Sequence, residues 1–150
     1  MEKGETVLSK MKLWSQHSSW NWENKMLLLE AEKMYALGDF DVAASFYERS
    51  IRSAREHRFI HEEAIASELI GIFYRERGLN EKSLHFYLHS IWSYKKWGAL
   101  AVARRVETFI VSKYGSVVMQ LVPSHDTFDC LFESTEDASN KKRQVIERDN

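Results

Sequence analysis

Cysteine, proline and glycine are scarce in this chain, and each scarcity excludes a class of structure. Cys130 is the single cysteine among 150 residues, so an intramolecular disulfide and a cysteine cluster for zinc are excluded. With one proline and six glycines, few positions would interrupt a long helix. No apolar run reaches the roughly 18 residues of a membrane-spanning helix, and the first residues lack the apolar core of a secretory signal. We therefore expect a cytoplasmic chain with no membrane partner.

The charge of the chain is almost balanced. Twenty-one Lys and Arg residues stand against twenty-two Asp and Glu residues, and the formal net charge is −1. A chain of this charge has no overall electrostatic attraction to nucleic acid or to anionic lipid. We expect the partner to be a protein or a neighbouring domain, without nucleic acid, and self-association stays open.

One part of the sequence repeats at an offset of forty residues. The matched positions are Gly38 and Gly78, Ala43 and Ser83, Phe46-Tyr47 and Phe86-Tyr87, Ser50-Ile51 and Ser90-Ile91, and Ser53 and Ser93. An internal period of about 20 to 50 residues is typical of stacked helical repeats, in which each unit buries its apolar face against its neighbours. The repeat predicts an all-α fold of antiparallel helix pairs, and a binding scaffold rather than an enzyme.

Apolar periodicity and helix-end signals divide the chain into three parts. The predicted helices cover residues 22–37, 40–57, 61–77, 81–97 and 99–114. Asn21, Asp39 and Asn80 are the predicted N-caps, and Gly38 and Gly78 end the helices before them. Residues 1–21 form a leading segment whose apolar spacing favours a short helix. Residues 115–150 are expected to be an irregular to disordered tail or linker, because their final part has almost no apolar residues to bury.

The residue types of the repeat resemble the tetratricopeptide family. Each unit has Gly at the turn, a small residue five positions later and Tyr47 or Tyr87 four positions further. Gly71 and Tyr74 match the small residue and Tyr that the family carries in its first helix. The period of forty residues is longer than the usual thirty-four or so, and Met34 stands where the family has Tyr. The resemblance implies a stack of helix pairs of the longer variety.

A wider stretch, residues 11–114, resembles a helical region of very large multidomain signalling kinases. Its landmarks are Glu62-Glu63-Ala64-x-Ala66-x-Glu68-Leu69 and Tyr94-x-x-Trp97-Gly98-Ala99. In those proteins the region lies between a predicted ATPase domain and a GAF sensor domain that precedes a histidine kinase. The resemblance implies a protein–protein or interdomain scaffold in a phosphorelay signalling protein. The alternative is a non-catalytic fragment of a multidomain ATPase or histidine kinase.

No catalytic, cofactor-binding or metal-binding residue is predicted. The sequence has no glycine-rich phosphate loop. His85 and His89 have the i, i+4 spacing of a metal-binding pair, but a structural site needs two further ligands. His61 followed by Glu62 approaches the context of a phosphoacceptor histidine, although the repeat register favours a structural role. Glu62 and Glu63 are interpreted as favourable charges at a helix start.

The predicted partner-binding residues are Tyr47, Arg52, Tyr87 and Trp92, as far as their side chains are exposed. Four tryptophans, Trp20, Trp22, Trp92 and Trp97, exceed what a small stack needs, and aromatic side chains are frequent interaction anchors. Burial in the core is the alternative interpretation for them. A basic edge of the stack would suit an acidic peptide, and the alternative is that these charges only face solvent. The edge consists of Arg52, Arg55, Arg58, Lys95, Lys96, Arg104 and Arg105.

Overall fold

The structure, a computed structural model, describes residues 2–15, 19–116 and 118. Within these ranges the helices are α1 (Glu2–Ser15), α2 (Ser19–Leu37), α3 (Phe40–Glu56), α4 (Ile60–Glu76), α5 (Asn80–Trp97) and α6 (Leu100–Tyr114). The described residues contain no strand, and the all-α prediction is confirmed. The tail beyond position 118, including Cys130, lies outside the described residues.

The helix ends are set by local signals, and two of the three predicted N-caps are wrong. Asp39 is the N-cap of α3, and its carboxylate accepts a hydrogen bond from the Val42 amide at 3.5 Å. Asn21 lies inside α2, because that helix begins at Ser19, and the Asn21 carbonyl accepts from Lys25 Nζ at 2.9 Å. Asn80 is the first residue of α5, because the preceding turn makes Leu79 its N-cap.

The same turn joins α2 to α3, α3 to α4, α4 to α5 and α5 to α6. Its left-handed residues are Gly38, Arg58, Gly78 and Gly98, with φ between 60° and 91°. At each turn the amide of the left-handed residue donates to the carbonyl three residues earlier, and the next amide donates to the carbonyl five residues earlier. This is the Schellman pattern of helix termination. The left-handed residues are twenty apart, so each forty-residue sequence period contains two helices.

Neighbouring helices are antiparallel, as short turns require. Between α2 and α3, Ser50 Oγ donates to the Asn24 carbonyl at 2.7 Å, while the Tyr47 hydroxyl donates to Glu32 further along α2. Helices two apart are also in contact. The Tyr35 ring on α2 lies 5.2 Å from the Phe73 ring on α4, between centroids.

The core is divided into two clusters along the chain. The first contains Ala31, Ala43, Tyr47, Ile51, Ala66, Ile70, Phe73, Tyr74 and Phe86. The second contains Ala64, Tyr87, Leu88, Ile91, Tyr94, Ala103, Val106, Ile110 and Val118. Close packing of α4 on α5 depends on Gly71, where an added Cβ would lie 3.3 Å from the Tyr87 ring. The core thus extends across every turn from α2 to α6.

Candidate functional site

Two of the four predicted partner-binding residues are core residues. Tyr47 is 1% exposed and Tyr87 is 2% exposed, so neither offers its ring to a partner. The Tyr47 hydroxyl donates to Glu32, and Arg75 Nη1 donates to the Tyr87 hydroxyl at 3.2 Å. Burial is the main reason that the pKa of Tyr87 is raised to about 12. Both tyrosines therefore stabilise the stack as neutral phenols.

Arg52 and Trp92 are partly buried, on α3 and α5. The Trp92 ring stacks on His89 with 5.9 Å between centroids and an interplanar angle of 18°. Lys96 Nζ lies 4.7 Å from the centroid of the Trp92 ring. The four predicted residues do not form one surface, because Tyr47 and Tyr87 belong to different core clusters.

A row of aromatic rings lies at the end of the molecule where α2 begins, α3 turns into α4 and α5 ends. Trp20 stacks on Phe59, with 6.2 Å between centroids and 12° between planes. Phe59 contacts His61 at 6.3 Å, and His61 contacts Trp97 at 5.5 Å. We call these four side chains the aromatic strip. Antiparallel packing places them together, because it brings both helix starts, the turn and the last residue of α5 to the same end.

Both ends of the aromatic strip face solvent. Trp20 is 55% exposed and Trp97 is 50% exposed, while Phe59 and His61 between them are partly buried. Leu100, three residues after Trp97, is also exposed. A contiguous exposed apolar surface is uncommon on a protein that has no interaction there. The aromatic strip is accordingly the strongest candidate for a functional surface among the described residues.

Cationic side chains accompany the aromatic strip. Lys25 Nζ lies 5.3 Å from the centroid of the Phe59 ring and 2.5 Å from Glu62 Oε1. The same carboxylate oxygen lies 3.4 Å from His61 Nε2. Arg58 and Lys96, which immediately precede Phe59 and Trp97, are exposed. The surface thus combines aromatic rings with two exposed cations, Arg58 and Lys96, and with an ion pair between Lys25 and Glu62.

A buried ion cluster lies beneath the strip and joins α3, α4 and α5. Glu63 Oε1 lies 3.0 Å from Arg55 Nε and 2.7 Å from His89 Nε2, and Arg55 Nη2 lies 3.2 Å from His89 Nε2. Glu63 is 4% exposed. It lies in the first turn of α4, where the sequence predicted a favourable charge, and it is also a core residue.

The charge state of Glu63 follows from its partners. Burial alone would raise its pKa, but the hydrogen bond with His89 and the positive charges of His89 and Arg55 outweigh burial, and the pKa is lowered. Glu63 is ionised at neutral pH as a result. The cluster fixes three helices relative to one another, because no single helix supplies more than one of its charges.

His85 and His89, considered as metal ligands, and His61, considered as a phosphoacceptor, contact ordinary side chains of the stack. His89 contacts Glu63 and Arg55, whereas His85 lies partly buried on the same helix. Burial, followed by the nearby His89, lowers the pKa of His85. Within the described ranges, no group of three or more His, Cys, Asp or Glu side chains is arranged to hold a metal ion. His61 is a member of the aromatic strip.

Sequence reasoning selected Trp20 and Trp97 as aromatic candidates but missed Phe59 and His61, which connect them. The signal that could have found them is the reversal of helix direction at each predicted turn. It places residue 59 directly after a turn, at the same end of the molecule as residue 97, and so identifies Phe59 as a turn residue that faces the end of the stack.

Comparisons with models of protein families, with curated proteins and with solved structures gave no match for this chain. Of the helices in the described part of the chain, none combines the length and the apolar character needed to cross a membrane.

Proposed function

We propose that this chain is a tetratricopeptide-like stack of helix pairs that serves as a protein–protein or interdomain scaffold in a cytoplasmic signalling protein. In this proposal α2 with α3 and α4 with α5 are the two repeats, and α6 is the first helix of a further unit. The aromatic strip is the surface that binds the partner protein or the neighbouring domain.

Repeated side-chain contacts support a regular stack of helices. The Tyr74 hydroxyl donates to Glu48 at 3.3 Å, and the Tyr94 hydroxyl donates to Glu68 at 2.9 Å. Each pair spans 26 residues, and the second pair lies twenty residues after the first. The first pair joins α3 to α4 and the second joins α4 to α5, so the same contact recurs from one helix to the next at the spacing of the turns. Such recurrence is expected where successive elements stack in the same way on their neighbours.

The observation that carries the functional proposal is the ring-to-ring continuity of the aromatic strip. Tryptophan is enriched among the residues that dominate binding energy at protein interfaces. Each ring in the strip is held by its neighbour, so a partner would immobilise few additional side-chain rotations. An ordered apolar surface of this kind suits a protein segment better than a small polar ligand.

The test is a quantitative pull-down from cells that express the full chain, with recovered proteins identified by mass spectrometry. We expect Trp97→Ala to lose at least one specific partner, and Leu37→Ala, an exposed apolar residue at the opposite end, to retain it. Circular dichroism establishes that each variant is folded. Equal recovery by both variants and the parent chain would contradict the proposal.

The second candidate function is a passive connector within a multidomain ATPase or histidine kinase. The buried ion cluster favours it, because charged contacts between three helices make a stiff spacer. A passive connector needs its length and rigidity but no exposed ring. We therefore expect Trp97→Ala to preserve every activity of the larger protein if the connector function is correct.

A further inference from the structure

The aromatic strip offers more than a generic apolar surface, because its charge limits the segments that fit it. Arg58 and Lys96 are exposed beside Phe59 and Trp97, whereas Lys25, which stands over the Phe59 ring, is ion-paired with Glu62. A complementary segment would alternate apolar side chains, which pack on the rings, with carboxylates, which lie beside the cations.

The chain itself contains such a segment. Residues 126–137 read DTFDCLFESTED and include five acidic residues without a lysine or arginine. Phe128, Leu131 and Phe132 are interspersed among the acids. The residues after this segment differ, since residues 141–143 are Lys-Lys-Arg and the large apolar residues of 138–150 are Val145 and Ile146.

The length of the chain is sufficient for this segment to meet the strip. The Tyr114 hydroxyl at the end of α6 lies 3.5 Å from Ser83 Oγ near the start of α5, so the chain leaves α6 at the end of the stack opposite Trp97. Fourteen helical residues from Ser83 to Trp97 correspond to about 21 Å. The ten residues from Val118 to Phe128 extend to at most about 33 Å, which exceeds that distance.

We propose that residues 126–137 bind in cis along the aromatic strip, with Phe128 and Phe132 on its rings and with carboxylates beside Arg58 and Lys96. A partner that uses the same rings must then displace the segment. This regulatory consequence rests on the proposed function, whereas the docking itself does not.

The first experiment observes the tryptophans of the full chain by fluorine NMR after labelling with 5-fluorotryptophan, with signals assigned by single Trp→Phe variants. We expect the double variant Phe128→Ser/Phe132→Ser to shift the signals of Trp20 and Trp97. The matched control, Val145→Ser/Ile146→Ser, removes apolar residues outside the segment and should shift none of them. Unchanged Trp20 and Trp97 signals in the Phe128 and Phe132 variant would overturn the proposal.

The second experiment adds a synthetic peptide of residues 124–138 to the full-length Phe128→Ser/Phe132→Ser chain. We expect the peptide to restore the original signals and to bind at least about fivefold more weakly after Arg58→Glu/Lys96→Glu. The control, Lys82→Glu/Lys113→Glu, reverses two exposed charges at the opposite end and should leave the affinity unchanged. Equal affinities for the two charge variants would contradict docking on the strip.

The two proposals fail in different ways. If the strip binds a partner and the segment regulates it, Phe128→Ser/Phe132→Ser raises partner recovery in the pull-down, and Trp97→Ala abolishes it. Loss of the partner in Trp97→Ala with no fluorine shift in the Phe128 and Phe132 variant would overturn cis docking and leave the scaffold function supported. A fluorine shift with no Trp97-dependent partner would overturn the scaffold function alone.

Discussion

Among single residues, Glu63 differs most from the residues at equivalent repeat positions. Five positions after the left-handed residue of each turn, the other three helices carry Ala43, Ser83 and Ala103, all fully buried. A carboxylate at such a position would be costly without compensation. Arg55 and His89 provide that compensation, so the three side chains act as one unit.

Replacing Glu63 with Gln should destabilise the protein, because it leaves the partly buried Arg55 and the buried His89 facing a neutral amide. Loss of such a charged hydrogen-bond partner costs about 1–3 kcal/mol. The free energy of unfolding, measured in urea, gives the cost. Glu56→Gln, an exposed carboxylate on α3, serves as the control and should change stability by about 0.5 kcal/mol or less. A similar loss in both variants would contradict a compensated Glu63.

The lowered pKa of Glu63 predicts that the ion cluster loses stability in acid. Because the folded chain holds this carboxyl below its ordinary value of 4.5, the folded state binds fewer protons than the unfolded state in that range. The stabilisation is therefore complete above about pH 4.5 and falls as pH falls through the folded pKa. Urea unfolding between pH 7 and pH 3 should show a steeper loss for the parent chain than for Glu63→Gln. Parallel curves would mean that Glu63 does not contribute.

At the scale of helices and turns, the sequence was most informative where the signal is local. The five predicted helices correspond to α2 through α6, and the largest difference is the start of α2 at Ser19 instead of Trp22. Glycines with positive φ and apolar periodicity are local features and can be recognised in one sequence. Tyr47 also shares a helix face with Ala43 and Ile51, so the same periodicity already placed it in the core.

The aromatic strip and the ion cluster were less accessible to sequence reasoning, because both join residues from three helices. Their contacts depend on how the helices pack, and no single window of sequence contains them. The turn between residues 57 and 61 was predicted, although Arg58 stands there where the other three turns have glycine. The contact of its ring residues with Trp20 and Trp97 was not predicted, because it depends on the packing of separate helices.

The turn at Arg58 can be improved by substitution. A non-glycine residue in the left-handed conformation costs about 1–2 kcal/mol, and Arg58 has φ 60°. Arg58→Gly should therefore stabilise the protein by about 0.5–1 kcal/mol and raise the thermal midpoint. Arg58→Ala, which removes the same side-chain charge without freeing the backbone, is the control. If Gly and Ala have the same effect, backbone strain at this turn is not significant.

The packing of α3 against α2 is tested by enlarging Ala43, which is fully buried. Ala43→Leu should overpack the interface and cost about 1–3 kcal/mol of the free energy of unfolding. Ala36→Leu adds the same atoms at an exposed position of α2 and should be nearly neutral. An unchanged thermal midpoint for Ala43→Leu would show that the interface tolerates a larger side chain.

At the scale of the whole molecule, the two ends of the stack differ in chemistry. One end carries the aromatic strip above the buried ion cluster, and the other carries the turns at Gly38 and Gly78, with Leu37 and Leu79 exposed. Charged contacts between α3, α4 and α5 hold the first end in a defined arrangement. A preorganised end of this kind is suited to present rings to a partner at low entropic cost.

Site-specific photo-crosslinking in cells tests the binding surface most directly. A photoreactive phenylalanine analogue replaces Trp97 in one variant of the full chain and Leu37, 62% exposed at the opposite end, in another. We predict a discrete crosslinked protein or domain from position 97 and none of the same mass from position 37. Crosslinking only from position 37, or the same product from both positions, would contradict the aromatic strip as the binding surface.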